Sequence, residues 1–461
     1  MDRSRAWAIE DGNTRQAGTG ARALRQQTFL RSGIRFFLPV RILVIGINYA
    51  PEKTSVGPFT TGLSEHLAVR GHRVTVITAF PYYPEWRVRD GYRGSLHRRE
   101  IMNGVVVHRV AHYVPYKASR LIERLAYDFT FTISAFVAAL FAGKCDVIYC
   151  SCPPPTVALA AYVLGKIKGA PYVMKLTDLA SDAALATGIL KEGWTIRMAR
   201  ALEGFLYRKA RAVICLCQGF IEKLIARGVA AEQFRLIPDW GDTERIRPVN
   251  SDGTFRSVHG FRPEQFLILH SGNMGKKQNL MNVVNAAEYS RGENDLAWVL
   301  VGQGEDLPAL KLAVEERTPN LSLLPLQPVE AMAQMYAAAD VLLLNQIAAM
   351  EDAVIPCKLL TYMAAGRPIV AAVSENSEAA RVIRRANCGV IVAAENPEAL
   401  SAAMRSLKND PELRCKLGSN ARAYAEEHFT KASVLEAYDE FFLSVLCSTG
   451  ISLTREEVPE V

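Results

Sequence analysis

Residues Arg41 to Thr78, RILVIGINYAPEKTSVGPFTTGLSEHLAVRGHRVTVIT, decide the fold. Arg41 to Ile47 is a nearly unbroken apolar run, as a strand covered on both faces requires, and Val74 to Thr78 repeats the pattern after Gly71-His72. An amphipathic segment lies between them, so the unit reads as strand, helix and parallel strand with a right-handed crossover. A dinucleotide-binding unit would place G-x-G-x-x-G at the first turn. Here that turn is Gly46-Ile47-Asn48-Tyr49-Ala50-Pro51, which forms no pyrophosphate cradle.

Further apolar runs occur at Gly104 to Arg109, Asp146 to Cys150, Tyr172 to Leu176, Ala212 to Leu216 and Phe234 to Ile237. They alternate with helical segments such as Thr156 to Lys168 and Trp194 to Lys209, which predicts an α/β domain with a parallel sheet. The pattern restarts at Phe266 to His270 and continues through Ala297 to Val301, Leu321 to Leu323, Val341 to Leu344, Pro368 to Ala372 and Gly389 to Val392. A chain of 461 residues exceeds the usual single-core limit, and two domains of roughly two hundred residues each are expected. The expected boundaries are a disordered basic extension at 1–40, a first domain at 41–245, a linker at 246–262 and a second domain at 263–430. A helix at 431–447 and a loose tail at 448–461 follow.

The formal net charge is +7, but residues 1 to 40 hold seven arginines against three acids, which leaves +3 for the remainder. A near-neutral body lacks the clustered cations that nucleic acid demands, so no nucleic-acid partner is expected. Phe29 to Val40 is interrupted by Arg31 and Arg35 and does not form a signal-peptide core. The longest uncharged apolar run, Phe129 to Gly143, has fifteen residues and is shorter than a bilayer span. The expected location is the cytoplasm. The nine cysteines include Cys150/Cys152 and Cys215/Cys217, and both pairs sit at ends of apolar runs, where they read as core. No metal site is expected from them, since structural zinc motifs more often use two to four intervening residues. No cofactor is implied.

The loop Pro51 to Pro58 and three later segments resemble the retaining glycosyltransferases of family 4, with the GT-B architecture of two facing Rossmann-like domains, in the colanic-acid-type branch. That resemblance implies a nucleotide-sugar donor and a last helix, Lys431 to Phe442, returning to the first domain. Stabilising a departing diphosphate takes either a divalent metal or protein cations and helix N-termini. The chain has no Asp-x-Asp tripeptide, so the protein itself is expected to supply the positive charge, without metal.

His270 to Leu280 (HSGNMGKKQNL) resembles the family's Gly-Arg-…-Lys-Gly loop. Gly272 would allow close backbone approach and Lys277 matches the lysine, while Asn273 stands where most of the family has arginine. The alternative is a helix start with solvated lysines. Gly302-Gln303-Gly304 resembles a nucleotide-side Gly-x-Gly turn; by itself such a pair is often only a tight turn. Glu351 to Pro368 (EDAVIPCKLLTYMAAGRP) lacks the two glutamates that many relatives carry here, since Ala353 and Thr361 occupy those positions. It resembles instead a Pro-Ser-Lys-Leu branch, with Cys357 for serine, which makes Asp352 and Lys358 donor-site groups. Asp352 as a helix cap and Lys358 as a solvated lysine is the alternative.

On the acceptor side, Asp178 matches an aspartate of close relatives and would orient or deprotonate the acceptor hydroxyl; it equally suits a helix cap. Ser55, Gly57, Thr60, Tyr82, Tyr83 and Trp86 are the acceptor-binding candidates, the aromatics either stacking on sugar or packing a long loop. Tyr116, Lys117, Arg120 and Arg124 precede an apolar helix, which suits peripheral contact with an anionic membrane carrying a polyprenyl-linked saccharide acceptor. Two other functions fit the architecture. One is a sugar-nucleotide 2-epimerase, which needs acid/base carboxylates that the matching helix lacks. The other is a catalytically inactive scaffold.

Overall fold

Each buried apolar run becomes a strand, and the helices between them cover both sheet faces. The structure is a computed structural model that describes residues 39–52, 56–115, 121–186, 191–349 and 356–447. In the first half, β1 (Arg41–Ile45) leads through α1 (Gly57–Val69) to β2 (Arg73–Ala79), β3 (His97–Met102), β4 (Val105–Val110) and α2 (Leu121–Phe141). Then come β5 (Val147–Cys152), α3 (Pro155–Lys168), β6 (Tyr172–Leu176), α4 (Ala180–Ala186), α5 (Trp194–Lys209), β7 (Ala212–Cys215), α6 (Gln218–Ala226) and β8 (Phe234–Leu236).

The second half begins with α7 (Thr254–Val258), β9 (Phe266–Asn273), α8 (Met281–Tyr289), β10 (Leu296–Gln303), α9 (Leu307–Arg317), β11 (Leu321–Leu324) and α10 (Met332–Ala338). It continues through β12 (Val341–Asn345), α11 (Cys357–Ala364), β13 (Ile369–Val373), α12 (Glu378–Ala386) and β14 (Gly389–Ala393). Three helices follow: α13 (Pro397–Lys408), α14 (Pro411–His428) and α15 (Lys431–Cys447).

The first sheet runs β3-β4-β2-β1-β5-β6-β7-β8 and the second β11-β10-β9-β12-β13-β14. Every pairing is parallel except β3 with β4. In the first sheet β1 lies between β2 and β5, and in the second β9 lies between β10 and β12. Chain direction across each sheet reverses at these central strands, and the crevice beyond their carboxyl ends is where open α/β sheets take ligands. The loops after β1 and β9 therefore sit at the two switch points.

One face of the first sheet buries Phe131 and Ala135 of α2, Val157 of α3, Leu206 of α5 and Phe220 of α6. The other buries Leu63 and Leu67 of α1 together with Val434, Tyr438 and Phe442 of α15. The last helix thus completes the first half's core, and the buried Asp439 ties it there by bonds to His66 (3.0 Å) and Arg70 (2.7 Å).

Three expectations are amended, and one strand is added. Strand β3, HRREIM, has no apolar run because it is an exposed edge strand, where charge discourages unwanted pairing. The stretch 246–262 is no loose linker, since it carries α7 and buries Ile246, Phe255 and Phe261 in the second half's core. Val40 belongs to the first core and not to the extension. The apolar run at Phe129 sits within a helix of 21 residues, about 31 Å long, and Ile122–Phe141 is long and apolar enough to cross a membrane by length and composition. That helix nevertheless buries one face on the sheet. Residues 1–38 and 448–461 lie outside the described residues.

Candidate active site

Strand β9 delivers Gly272 and Asn273 to the cleft, and the turn after it brings Lys277 to the start of α8. This turn is pinned from below: buried Asn345, at the end of β12, donates to the carbonyls of Gln278 (2.7 Å) and Asn279 (3.0 Å). Ile347 donates its backbone N–H to the carbonyl of Lys277 at 3.1 Å. Asn273 is exposed and donates to Gln278 Oε1 at 3.2 Å, so its side chain is occupied within the loop. Neither α8 nor α11 has a side-chain cap or an acid in its first turn. At α8 the N–H groups of Asn282 and Val283 already donate to the carbonyls of Asn279 and Leu280, and at α11 that of Leu359 donates to the Pro356 carbonyl, so only the foremost N–H groups of each start have no bond among the described residues.

The glycines of this region answer a packing demand. Gly272 (φ 138°) and Gly302 (φ 150°) face each other across β9 and β10, and a Cβ on Gly302 would lie 1.9 Å from the Gly272 carbonyl oxygen. A Cβ on Gly304 would meet the Met274 carbonyl oxygen at 2.2 Å. The two loops are thereby pressed together with exposed Gln303 between the glycines.

Helix α11 brings Lys358 onto the same floor. Its Nζ donates to His270 Nε2 at 3.2 Å, and a Cβ on Gly272 would lie 3.1 Å from that nitrogen. Burial lowers the Lys358 ammonium to about 8, opposed by nearby Cys357. Lys358 is therefore not the solvated lysine of the alternative reading. Thr361 stands one turn further along, half-buried. Asp352 and Ser55 lie outside the described residues, as do Tyr116, Lys117 and Arg120.

From the first half, Asp178 follows β6 and meets Lys277 at 3.7 Å across the cleft. Burial raises its carboxyl to about 6, against the pull of Lys277 and of Arg124 on the first turn of α2. The candidate acid/base group and the candidate phosphate lysine, 99 positions apart in the chain, are thus brought into contact.

The proposed acceptor residues divide. Tyr82 is buried, its hydroxyl bonded to that of Tyr127, and Tyr83 and Trp86 are half-buried beside it. Ring centroids of Tyr82 lie 4.8 Å from His112 and 5.8 Å from Trp86, so these aromatics pack their loop. Tyr83 is raised by burial and then by Cys357 of the opposite half, which places its ring at the cleft. Thr60 is buried and its hydroxyl donates to the Val56 carbonyl (3.1 Å), while Gly57 leaves room for the Glu52 carbonyl, 3.1 Å from where a Cβ would stand. These two shape the loop after β1 and do not present groups to a sugar.

Three contributors escaped the sequence reading. Buried Glu52 accepts from the backbone N–H of Tyr82 (2.9 Å) and Tyr83 (2.8 Å) and from Asn48 Nδ2 (2.8 Å), clamping the aromatic loop to the first turn. Asp239 pairs with buried Lys175 beneath the cleft. Burial works to lower that ammonium, but Asp239 more than offsets it and the net direction is upward. His270 looks like a core residue of a strand until Lys358 is seen beside it. A buried polar residue in an apolar run gives no sequence signal of its partner.

Two facing Rossmann-like halves, with lysines and helix N-termini on one side of the cleft, are the architecture of the GT-B glycosyltransferases. Residues 54–240 match the family described as Glycosyl transferase 4-like domain and residues 251–424 that described as Glycosyl transferases group 1. The chain belongs to this glycosyltransferase family. It is 34% identical over 408 residues to a protein of Escherichia coli K12 described as colanic acid biosynthesis glycosyl transferase WcaI, covering 87% of this chain and 98% of that one. Among solved structures, the sucrose-phosphate synthase of Thermosynechococcus elongatus has a TM-score of 0.70 at 16% identity, over 89% of this chain and all of that one. HepE of Anabaena in complex with UDP-glucose has a TM-score of 0.65 at 18% identity, over 88% of this chain and all of that one.

Proposed function

We propose that this chain transfers a sugar, with retention of configuration, from a UDP- or GDP-linked donor to a lipid-linked oligosaccharide in exopolysaccharide assembly of the colanic-acid type. The contact between Asp178 and Lys277 carries the reading, because it joins an acceptor-side carboxyl to a donor-side cation across the cleft. In the mechanism, Lys277 and the N-termini of α8 and α11 take up charge on the departing diphosphate. The acceptor hydroxyl attacks on the face that the diphosphate leaves, and a leaving phosphate oxygen accepts its proton. Asp178 orients that hydroxyl.

Similarity to WcaI supports the pathway class and the complex of HepE with UDP-glucose supports a nucleotide-sugar donor. The test is a thermal-shift panel of GDP, UDP, ADP and their sugar conjugates without added metal, followed by transfer to lipid extracts. A ligand that binds only the folded state raises the melting temperature. A shift with UDP or GDP, and a glycosylated lipid product, is expected; no shift with any of them sinks the reading.

Contact with an anionic membrane surface belongs to the same proposal. The outward faces of α2, α3 and α5 expose Phe129, Ile133 and Phe141 on α2, Ile167 on α3, and Trp194 and Met198 on α5. Beside Trp194 and Met198, a cavity of about 460 Å³ is lined by Arg200, Arg208, Arg227 and Glu203, with Arg200 and Arg227 also paired to Asp182. An apolar face next to clustered arginines suits lipid chains and anionic headgroups together.

A further inference from the structure

Two lysines lie beneath this cleft, Lys175 buried and Lys358 half-buried, and they differ in one respect. Lys175 has the Asp239 carboxylate as counter-charge. Lys358 has none among the described residues: its hydrogen-bond partner is the imidazole of His270. His270 is fully buried, and a backbone carbonyl only accepts, so Nδ1–H donates to the Leu343 carbonyl at 3.1 Å and Nε2 keeps its lone pair for the Lys358 ammonium. Burial and then the neighbouring ammonium hold the ring far below the ordinary histidine range, hence neutral. A neutral acceptor orients a cation without cancelling its charge.

Even a half-buried ammonium that faces no carboxylate is disfavoured, and an incoming anion recovers part of that cost. The place where Lys358 is held matters. Its Nζ rests against Gly272, one residue before Asn273, the position at which the resembling family has arginine. Asn273 itself is bonded to Gln278 and carries no charge. Lys358 therefore restores, from a different element, a cation at the mouth of the β9 loop, with Lys277 at the loop's other end.

We propose that Lys358, oriented by the neutral imidazole of His270, binds the donor's diphosphate in place of the missing arginine, with His270 as a positioning residue. This rests on the donor-site reading above. The groups facing the start of α11 are His270 from β9, Cys357 on α11 itself, Asp239 from the loop after β8, Tyr83 from the first half, and Tyr336 and Tyr362, whose phenols are held protonated by burial. None of the phenols gains charge below pH 9 in this environment, and Lys358 is the cation whose loss falls near pH 8.

The test is calorimetric titration of the full-length protein with UDP and with GDP, without metal, between about pH 7.5 and about pH 9, where their phosphates are already ionised and the base N–H groups still largely protonated. Wild type is expected to lose affinity by up to about tenfold per pH unit above pH 8, as a single required proton dictates. Lys358→Met should bind about 10- to 100-fold more weakly at pH 7.5. Lys358→Arg should restore binding and abolish the alkaline loss, because guanidinium stays charged. His270→Leu should weaken binding and move the loss to lower pH, and His270→Gln, which keeps an acceptor, should recover part of it. Wild-type affinity in Lys358→Met, or an alkaline loss that persists in Lys358→Arg, overturns the assignment and leaves the donor site standing. Failure of wild type to bind either nucleotide overturns the donor-site reading and this one together. The two Lys358 variants decide the matter even if the His270 variants do not fold.

Discussion

The two halves share one architecture but expose opposite chemistry. Around the cleft, the second half offers glycines, Lys277, Lys358 and two uncapped helix starts, while the first offers Asp178 and aromatics clamped by Glu52. On their outer layers the contrast continues. Large exposed apolar side chains crowd α2, α3 and α5 of the first half, whereas the second half shows only scattered ones such as Val258, Tyr289 and Leu312. A nucleoside diphosphate is the same anion for every donor, so a rigid cationic floor suffices. An acceptor attached to lipid must be met by a surface that tolerates a bilayer.

If that division holds, the largest effect should come from the cationic side. Lys277→Ala is expected to lose about 10² to 10³ in turnover, as for deleting one preorganised donor, with an unchanged melting profile. Full activity would remove Lys277 from the mechanism and blur the contrast. The first half's outer face offers the next test. Replacing Ile133, Phe141 and Trp194 together by serine should cut sedimentation with vesicles containing anionic lipid by about tenfold or more while nucleotide binding stays intact. The same triple change leaving vesicle binding untouched would mean that the face serves another partner.

The smallest effect is a pH profile. Asp178, raised to about 6, is ionised only above that pH, so kcat/KM should rise through about pH 6. Asp178→Asn should flatten that limb and lower the plateau without altering the loss near pH 8 assigned to Lys358. An acid limb that survives the substitution would take Asp178 out of the acceptor side.

Much of this division was legible before any coordinates. Buried parallel strands announce themselves as unbroken apolar runs, and resemblance of the loops after them to those of the family singled out Lys277, Asp178 and Lys358 as candidates. Edge strand β3 was not, because an exposed, charged strand has no apolar period to read. Nor was His270, since its meaning comes from a lysine 88 positions away. Glu52 was hidden for a similar reason: its partners are backbone N–H groups 30 and 31 residues on, which carry no residue identity. The glycines were legible as a motif, yet their cause, a Gly272 carbonyl oxygen that would lie 1.9 Å from any Cβ at position 302, was visible only in space.

The return of α15 to the first half has a consequence for biosynthesis. Val434, Tyr438 and Phe442 fill a face of the sheet whose strands were made hundreds of residues earlier, and Asp439 closes on His66 across 373 positions. On the ribosome, the amino-terminal sheet must wait with that face covered only in part, by α1, while the whole carboxyl-terminal half is translated. The nascent chain is thus most exposed to aggregation and to chaperones late in synthesis, when most of its residues are already in place.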